Sequence, residues 1–456
     1  MNYPQTVSQQ AIQAEDTVTG VRPTHIRWRI MAMTTLTTAL ANLGRINLGV
    51  LAKYIQDEFA FGTQTMGWIF SGFAFAYHPF QIPGGWAGDR FGPRRVLTFT
   101  ILFWSMATAA MALAPRLPMS RWLGLAWSFA ILRFLIGMAE APVSSNTTKV
   151  VSSWMGDVQR GMGVSFHILG VGLGGALTPV LITWVGRHWG WRAGFYLSSL
   201  IGILVALTWW FYGTDRPADH PDVNAAELAL IRSSTANLTS VTRPKVTSKR
   251  PPWRRILSSL SVWGILLSYF CQGYTPYIFM SWFFIYLVRV RGFTMMQGGL
   301  WGSAPFIAML LLAPIGGWLS DFAVAKFGRR RGRQSTVWLG MGCSAILLWS
   351  GSHTLNNTAA ILMLALAAGF NYFATPSWWA ACIDLTPTYS GSLSGLMNTC
   401  GGGWLAPSLT AYIASHFGWI QALDFAAVLT VIGGVLWIFV DASENLEETL
   451  VPSAPA

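Results

Sequence analysis

Apolar residues occur in long, nearly unbroken stretches, near 29–52, 65–88, 96–114, 122–148, 161–186 and 193–213, and again near 261–288, 296–320, 335–352, 357–383, 391–415 and 420–440. A helix crossing a hydrocarbon layer of about 30 Å needs roughly 20 mostly apolar residues, so the pattern predicts twelve crossings. A barrel is disfavoured, because barrel strands are only about 10 residues long and alternate apolar with polar positions. The expected fold class is therefore all-α, polytopic, with twelve transmembrane helices. Between the sixth and seventh stretches lies the polar interval 214–260, rich in charge, Ser, Thr and Pro, with a short surface helix expected around Asn224–Arg232. The organisation read from this is a tail over 1–28, six helices over 29–213, a linker over 214–260, six helices over 261–441 and a second tail over 442–456.

The two sides of the linker resemble each other. An offset of 228 pairs Pro179 with Pro407, Leu181 with Leu409, His188 with His416, Gly190 with Gly418 and Trp191 with Trp419. At an offset of 232, PIGGWLSD ending at Asp321 echoes PGGWAGD ending at Asp89. Matches at corresponding places in both sides indicate duplication. Duplicated halves about an axis along the membrane normal place a cargo site near the midplane between them.

Composition agrees: 53% of the residues are hydrophobic and 11% charged, mean hydropathy is +0.44, and soluble domains carry about 25% charged residues. The net charge of +12 reads as topology. With both termini cytoplasmic, 21 of the 30 Lys and Arg fall in cytoplasmic segments and seven in external loops, the asymmetry of the positive-inside rule. A nucleic-acid surface has little support. Residues 1–28 lack the apolar core and cleavage site of a secretory signal, so the first helix is expected to be retained. Cys271, Cys343, Cys382 and Cys400 lie in apolar segments without metal or redox spacing and read as small buried hydrophobes. Asn146-Thr147-Thr148 and Asn237-Leu238-Thr239 match the glycosylation pattern by accident of position. A membrane enzyme or receptor would need a cluster of catalytic groups or a nucleotide-binding loop, and the sequence shows neither.

The remaining two basic residues, Arg45 and Arg133, lie inside apolar stretches, as does Glu140. A charge at the bilayer centre costs roughly 2.5–3.5 kcal/mol on insertion scales, so such residues face cavities and mark function. Arg45 is near mid-membrane, and its planar fork of donors suits bidentate capture of a carboxylate. The competing reading is a structural ion pair with Glu140. Arg133 and Glu140 are seven residues apart, on one helix face but about 10 Å from each other, so they are not expected to pair. Desolvation and a neighbouring arginine pull a carboxyl's proton affinity in opposite directions, which suits Glu140 to proton exchange; a static bridge between helices is the alternative.

At Gly85-Trp86-Ala87-Gly88-Asp89-Arg90-Phe91-Gly92-Pro93-Arg94-Arg95 the sequence resembles the signature loop of the major facilitator superfamily. Its glycines allow close helix approach. Asp89 with Arg90 and Arg94, and Asp321 in the second half, are assigned to a gate at the cytoplasmic mouth, with topology anchoring as the other reading of Arg94 and Arg95. Arg45-Ile46-Asn47-Leu48-Gly49-Val50, Arg133 with Glu140, Gly190-Trp191-Arg192, HPDVNAAE after the sixth helix, and Asp384, Pro387, Gly395 and Asn398 in order resemble the anion:cation symporters over about 29–440. The resemblance implies that Arg45 binds the anion and that Glu140, with Arg133, takes part in proton coupling. Many bacterial sugar-acid members have an acid before the helix-one arginine; here that position is Gly44, which removes one candidate proton site. The resemblance also places substrate contacts at Tyr77, Gln272, Tyr274, Tyr277, Ser377, Trp379 and Asn398, where hydroxyls and amides suit a polyol and rings suit a sugar face. His78, 100° round the helix from Tyr77, is expected to pack against a neighbour, and His167 is a second imidazole to consider for the cavity. The glycines at 170, 172, 174 and 175 and at 401–403 are read as packing and bending points, and Asp384 as a loop or cap residue.

The expectation is a secondary transporter that takes up a small organic anion with protons, most simply a hexuronate or aldonate. The alternative is the same fold carrying a dicarboxylate, amino-acid anion, aromatic acid or phosphate, and a second cavity cation at Arg133 would favour a divalent anion. The expected partners are the anion, protons and the bilayer, with no cofactor and no nucleic acid, and the chain acting as a monomer in a bacterial inner membrane.

Overall fold

The computed structural model describes residues 22–155, 160–236, 253–386, 390–444 and 446. The helices follow the apolar stretches: α1 (Ile26–Phe59), α2 (Thr63–Phe91), α3 (Pro93–Leu113), α4 (Leu125–Trp154), α5 (Arg160–Trp189) and α6 (Trp191–Phe211), then α7 (Leu260–Ser281), α10 (Asn357–Leu385) and α12 (Trp419–Val435). α8 begins as Met295–Gly302 and resumes at Ala304. At Gly328, where φ is +82°, the chain folds back, so that 304–327 completes α8 and 329–353 forms α9. Only glycine adopts that angle without strain. α4 is two pieces, Leu125–Glu140 and Pro142–Trp154, with a proline at the junction, and α11 is likewise split into Ser390–Cys400 and Ala406–His416. α1 runs seven residues past the predicted end because hydrogen bonding, unlike insertion, does not require apolar side chains; these last turns carry Lys53, Asp57 and Glu58.

Among the described residues, seven helical segments are long and apolar enough to cross a membrane by composition alone, and α1, α2, α7 and α11 are not among them. Polar residues and chain breaks keep these four below that length or hydropathy, and they meet at the centre of the molecule. Large apolar side chains such as Trp68, Trp127, Trp189 and Phe211 are exposed on the outside, as a lipid-facing surface requires.

The duplication is visible in the packing. Gly67 of α2 approaches Pro407 and Ser408 of α11 so closely that a Cβ would stand 3.1 Å from the Pro407 carbonyl oxygen; Gly299 of α8 stands 3.0 Å from that of Pro179 of α5 by the same measure. The sequence-paired prolines thus occupy equivalent places, each in a cross-half contact. Gly190 and Gly418, also paired, both take positive φ, +79° and +105°, and turn the chain into α6 and α12.

These contacts lie towards the face remote from the N-terminus, here called the distal face; the face that carries residues 26, 91 and 213 is the terminal face. Ser71 and Ser408 hydroxyls are 2.7 Å apart, the Ser303 hydroxyl donates to the Ala176 carbonyl, and a Cβ on Gly49 of α1 would meet the Met280 carbonyl of α7. On the terminal face Lys149 donates to the Gly88 carbonyl, the Arg94 amide to Asp215 and Arg330 to Asp441, all within one half. The halves are clamped at the distal end.

The predicted surface helix is Ala225–Ala236, capped by the Asn224 side chain, which accepts from the Glu227 amide at 2.9 Å. It is bound to the first half rather than free. Glu227 is fully buried and accepts from the Ile26 and Arg27 amides at 3.0 Å each, supplying the N-terminus of α1 with acceptors that its own N-cap lacks. A carboxylate at a helix N-terminus also meets the positive end of the dipole. The rest of the linker, 237–252, and Pro387 lie outside the described residues.

Close approach sets a test. A Cβ on Gly137 would lie 2.2 Å from the Phe73 carbonyl, and one on Gly316 1.8 Å from that of Phe373, whereas Gly342 has nothing within 4 Å. Gly137→Leu and Gly316→Leu should each destabilise the detergent-solubilised protein by about 1–3 kcal/mol or more, read as a lower melting temperature, and Gly342→Leu should leave it unchanged.

Candidate functional site

At the centre of the molecule the Arg45 Nε donates to Glu140 Oε1, joining α1 to α4. The Arg45 side chain is 18% exposed and that of Glu140 1%. Gly44, beside Arg45, lies against this carboxylate: a Cβ there would stand 3.7 Å from Oε2, an ordinary contact. Gly137 brings α2 against α4, which sets two rings under the guanidinium; Arg45 Cζ is 4.5 Å from the Tyr77 ring centre and 5.7 Å from that of Phe73. Cation–π attraction of this kind strengthens when the cation is desolvated. Arg133 is closed into the wall: it is 4% exposed, lies over Phe73 at 4.8 Å and donates through Nη1 to the Gly44 carbonyl at 3.0 Å. Arg133 and Glu140 do not bond directly, as their spacing predicted.

The second half supplies the facing wall. Tyr277 of α7 and Tyr372 of α10 lie within electrostatic reach of Arg45. Gln272 donates to Asn371 at 2.7 Å and to Thr375 at 3.2 Å. Asn398 of α11 donates to Gln81 of α2 at 2.6 Å and receives the Tyr269 hydroxyl at 3.5 Å. Trp379 is 40% exposed, with its ring 6.5 Å from that of Tyr269. Tyr77 and Tyr277 therefore lie beside Arg45 and Asn398 is joined to α2 next to them, while Gln272 is bonded to α10 and Trp379 stands by Tyr269 within the second half. His167 also belongs to this region, hydrogen-bonded to Thr147 at 3.2 Å.

Other predicted residues point elsewhere. Tyr274 is buried inside the second half, its hydroxyl 2.8 Å from that of Thr410 and its ring against Phe425; three positions along from Cys271, it faces α11 and α12. Ser377 is fully buried, 3.1 Å from the Ser320 hydroxyl, between α8 and α10. Both were placed by the helix they occupy, and the rotation of that helix turns them inward to packing. His78 packs against a neighbour, as expected, and that neighbour belongs to the other half: its Nδ1 is 3.0 Å from the Asn398 carbonyl. Sequence reasoning also missed Gln81, Tyr269 and Tyr372. Gln81 lies three residues beyond His78 on one face of α2, a spacing that could have flagged it.

The gate residues divide. The Asp89 side chain lies outside the described residues. Arg90 is exposed beside Trp86 and Phe91, and the Arg94 side chain donates to the Trp210 carbonyl within the first half. Asp321 meets Arg333 at 2.8 Å, and Arg333 also meets Asp384 at 3.2 Å, so Asp384 is an ion-pair partner rather than a simple loop or cap residue. A cross-half ion pair occurs at the opposite mouth, where Arg289 Nη2, in the Tyr286–Val290 turn after α7, lies 2.9 Å from Asp57 Oδ1 of α1. Burial tends to raise the Asp57 carboxyl, but hydrogen bonds and charge from Lys53 and Arg289 outweigh it and hold the group below its usual range. Nearby, the Arg192 hydrogen bond holds Glu58 below its usual range.

With this geometry in place, the chain matches the model of the Major Facilitator Superfamily over residues 34–406, and it belongs to that family. It is a multi-pass membrane transporter, not an enzyme. A probable anion transporter of rice chloroplasts (Oryza sativa subsp. japonica) is 29% identical over 95% of this chain and 80% of its own length. The D-galactonate transporter of Escherichia coli O6:H1 is 29% identical over 92% of this chain and 97% of its own. Among solved structures, a bacterial homolog of the human lysosomal transporter Spinster superposes with a TM-score of 0.72 at 18% identity, covering 91% of this chain and 97% of that one.

The Asp57–Arg289 pair is exposed, and such pairs contribute about 0–1 kcal/mol. Asp57→Asn should therefore open the distal mouth modestly, raising the labelling rate of a cysteine placed at Ser71 by up to about fivefold with a membrane-impermeant thiol reagent.

Proposed function

We propose that the protein is a proton-coupled symporter of a monovalent small organic anion, most simply a sugar acid such as an aldonate or hexuronate, working by alternating access. The observation that carries this reading is the pairing of a partly exposed Arg45 with a buried Glu140. While Glu140 is ionised it occupies the Nε edge of the guanidinium. A proton on Glu140 weakens that bond and leaves the fork to a cargo carboxylate, whose charge-assisted, bidentate contact replaces it. Loss of cargo lets Glu140 recover the arginine and release its proton, so the two ligands are linked through one cation.

The enclosure of Arg133 favours a monovalent cargo, because the cavity then presents a single guanidinium. The amides and phenols from α2, α7 and α11 suit a polyol tail, and the name of the E. coli relative supports an aldonate in particular. The distal clamp and the intra-half contacts at the other face support the reading of a form open towards the terminal face. With both tails cytoplasmic, as the basic-residue bias supports, this is the inward-facing form, in a bacterial inner membrane, of a protein that acts as a monomer. The ion-pair groups around Asp321 and Arg333, and around Arg90 and Arg94, would form the cytoplasmic gate of the opposite form.

The test is counterflow of labelled galactonate and glucuronate in proteoliposomes, followed by net uptake under an imposed proton gradient. Arg45→Ala should lower exchange by about 100-fold, the loss of two charge-assisted hydrogen bonds. Glu140→Gln should keep counterflow and lose gradient-driven accumulation. Failure of the wild-type protein to exchange either acid would overturn the sugar-acid assignment, and accumulation by Glu140→Gln would remove Glu140 from coupling.

A further inference from the structure

Two buried polar atoms on one face of α2 have no partner among the described residues: His78 Nε2 and Gln81 Nε2. Their other ends are committed. A carbonyl can only accept, so the Asn398 carbonyl at 3.0 Å fixes the proton of neutral His78 on Nδ1 and makes Nε2 an acceptor. Asn398 receives the Tyr269 hydroxyl on its oxygen and so presents its NH2 to Gln81 Oε1, which leaves Gln81 Nε2 as a donor. His78 is 6% exposed. Its ring is 5.6 Å from that of Tyr77 and 6.3 Å from that of Tyr277, beside the wall that faces Arg45, and Gly401 passes close by: a Cβ there would be 3.7 Å from His78 Cε1. Residues three apart on a helix lie about 5–6 Å from each other. The site thus offers one acceptor and one donor from neighbouring positions on one helix face, each residue held by Asn398 of the other half.

We infer that His78 and Gln81 form a hydroxyl-reading subsite, in which His78 Nε2 accepts from a cargo hydroxyl and Gln81 Nε2 donates to a neighbouring cargo oxygen. A buried acceptor without a donor costs free energy, and a carboxylate, having no proton to give, cannot satisfy Nε2. The subsite selects a hydroxylated anion over its deoxy analogue. Because both atoms are positioned by Asn398, cargo that fills them also holds α2 against α11. This deepens the organic-anion reading and depends on it for the location of the cargo, though not for its identity as a sugar acid.

The experiment is counterflow competition in proteoliposomes with paired anions: gluconate against hexanoate, malate against succinate, and 4-hydroxybenzoate against benzoate. In the wild type the hydroxylated member of whichever pair is transported competes better. His78→Asn keeps a side-chain donor for the Asn398 carbonyl and removes the acceptor; it should cut that preference by about three- to tenfold, the effect of one neutral hydrogen bond, the loss falling on the hydroxylated member. His78→Gln, whose amide oxygen reaches the Nε2 position, should restore part of the preference. Preference for malate over succinate without exchange of gluconate would defeat the sugar-acid reading and leave the subsite standing. Equal loss for both members of a pair in His78→Asn, an unchanged preference, or wild-type exchange confined to anions without a hydroxyl would overturn the subsite.

Discussion

The structure depends on keeping an arginine and a glutamate at the centre of a low-dielectric body. Removing two charges from water costs several kcal/mol per ion, and their attraction offsets this only with good geometry and additional contacts. Here the contacts are specific. Gly137 admits the α2 backbone, and α2 in turn brings Phe73 and Tyr77 beneath the Arg45 guanidinium. Arg133 adds a second positive charge to the same wall and ties itself to the α1 backbone. The helices of the first half are positioned by what this cluster requires. The cluster is also incomplete, since Glu140 Oε2 has no partner among the described residues, and an incompletely satisfied ion pair can exchange partners.

The two halves meet through repeated elements. Gly67 on Pro407 and Gly299 on Pro179 are one contact made twice, and both lie distal to the central site. Small residues let helices approach until backbones touch, so this clamp depends on shape rather than on strong bonds, and shape contacts can be separated without leaving buried charges behind. The polar bonds between halves, from Ser71 to Ser408 and from His78 and Gln81 to Asn398, follow α2 and α11 towards the centre. The centre of the molecule is therefore where the two halves have polar groups in common.

The linker helix extends the first half. Glu227 closes the N-terminus of α1 from 200 residues away, and His220 packs edge-on against Trp154 and Tyr212. A rocking motion of the halves would carry this part of the linker with the first half. The HPDVNAAE segment, legible as a motif, owes its form to this docking: Asn224 caps the helix and Glu227 caps α1.

The sequence alone determined the class of the fold, because a hydrocarbon layer imposes length and composition on each helix and tolerates few charges. For the same reason it singled out Arg45, Arg133 and Glu140, the charges whose burial demands an explanation, and the duplication, preserved at the prolines and glycines where backbones touch. Only the tertiary structure decided which side chains meet. Helix rotation turned Tyr274 and Ser377 into packing and brought His78, Gln81, Tyr269 and Tyr372 to the site, since positions spaced along an all-apolar helix carry no periodic signal of which face lies inward. The cross-half ion pair at Asp57 and Arg289 was equally hidden, because it joins residues 232 apart whose charges, read along the chain, look like ordinary solvated helix ends.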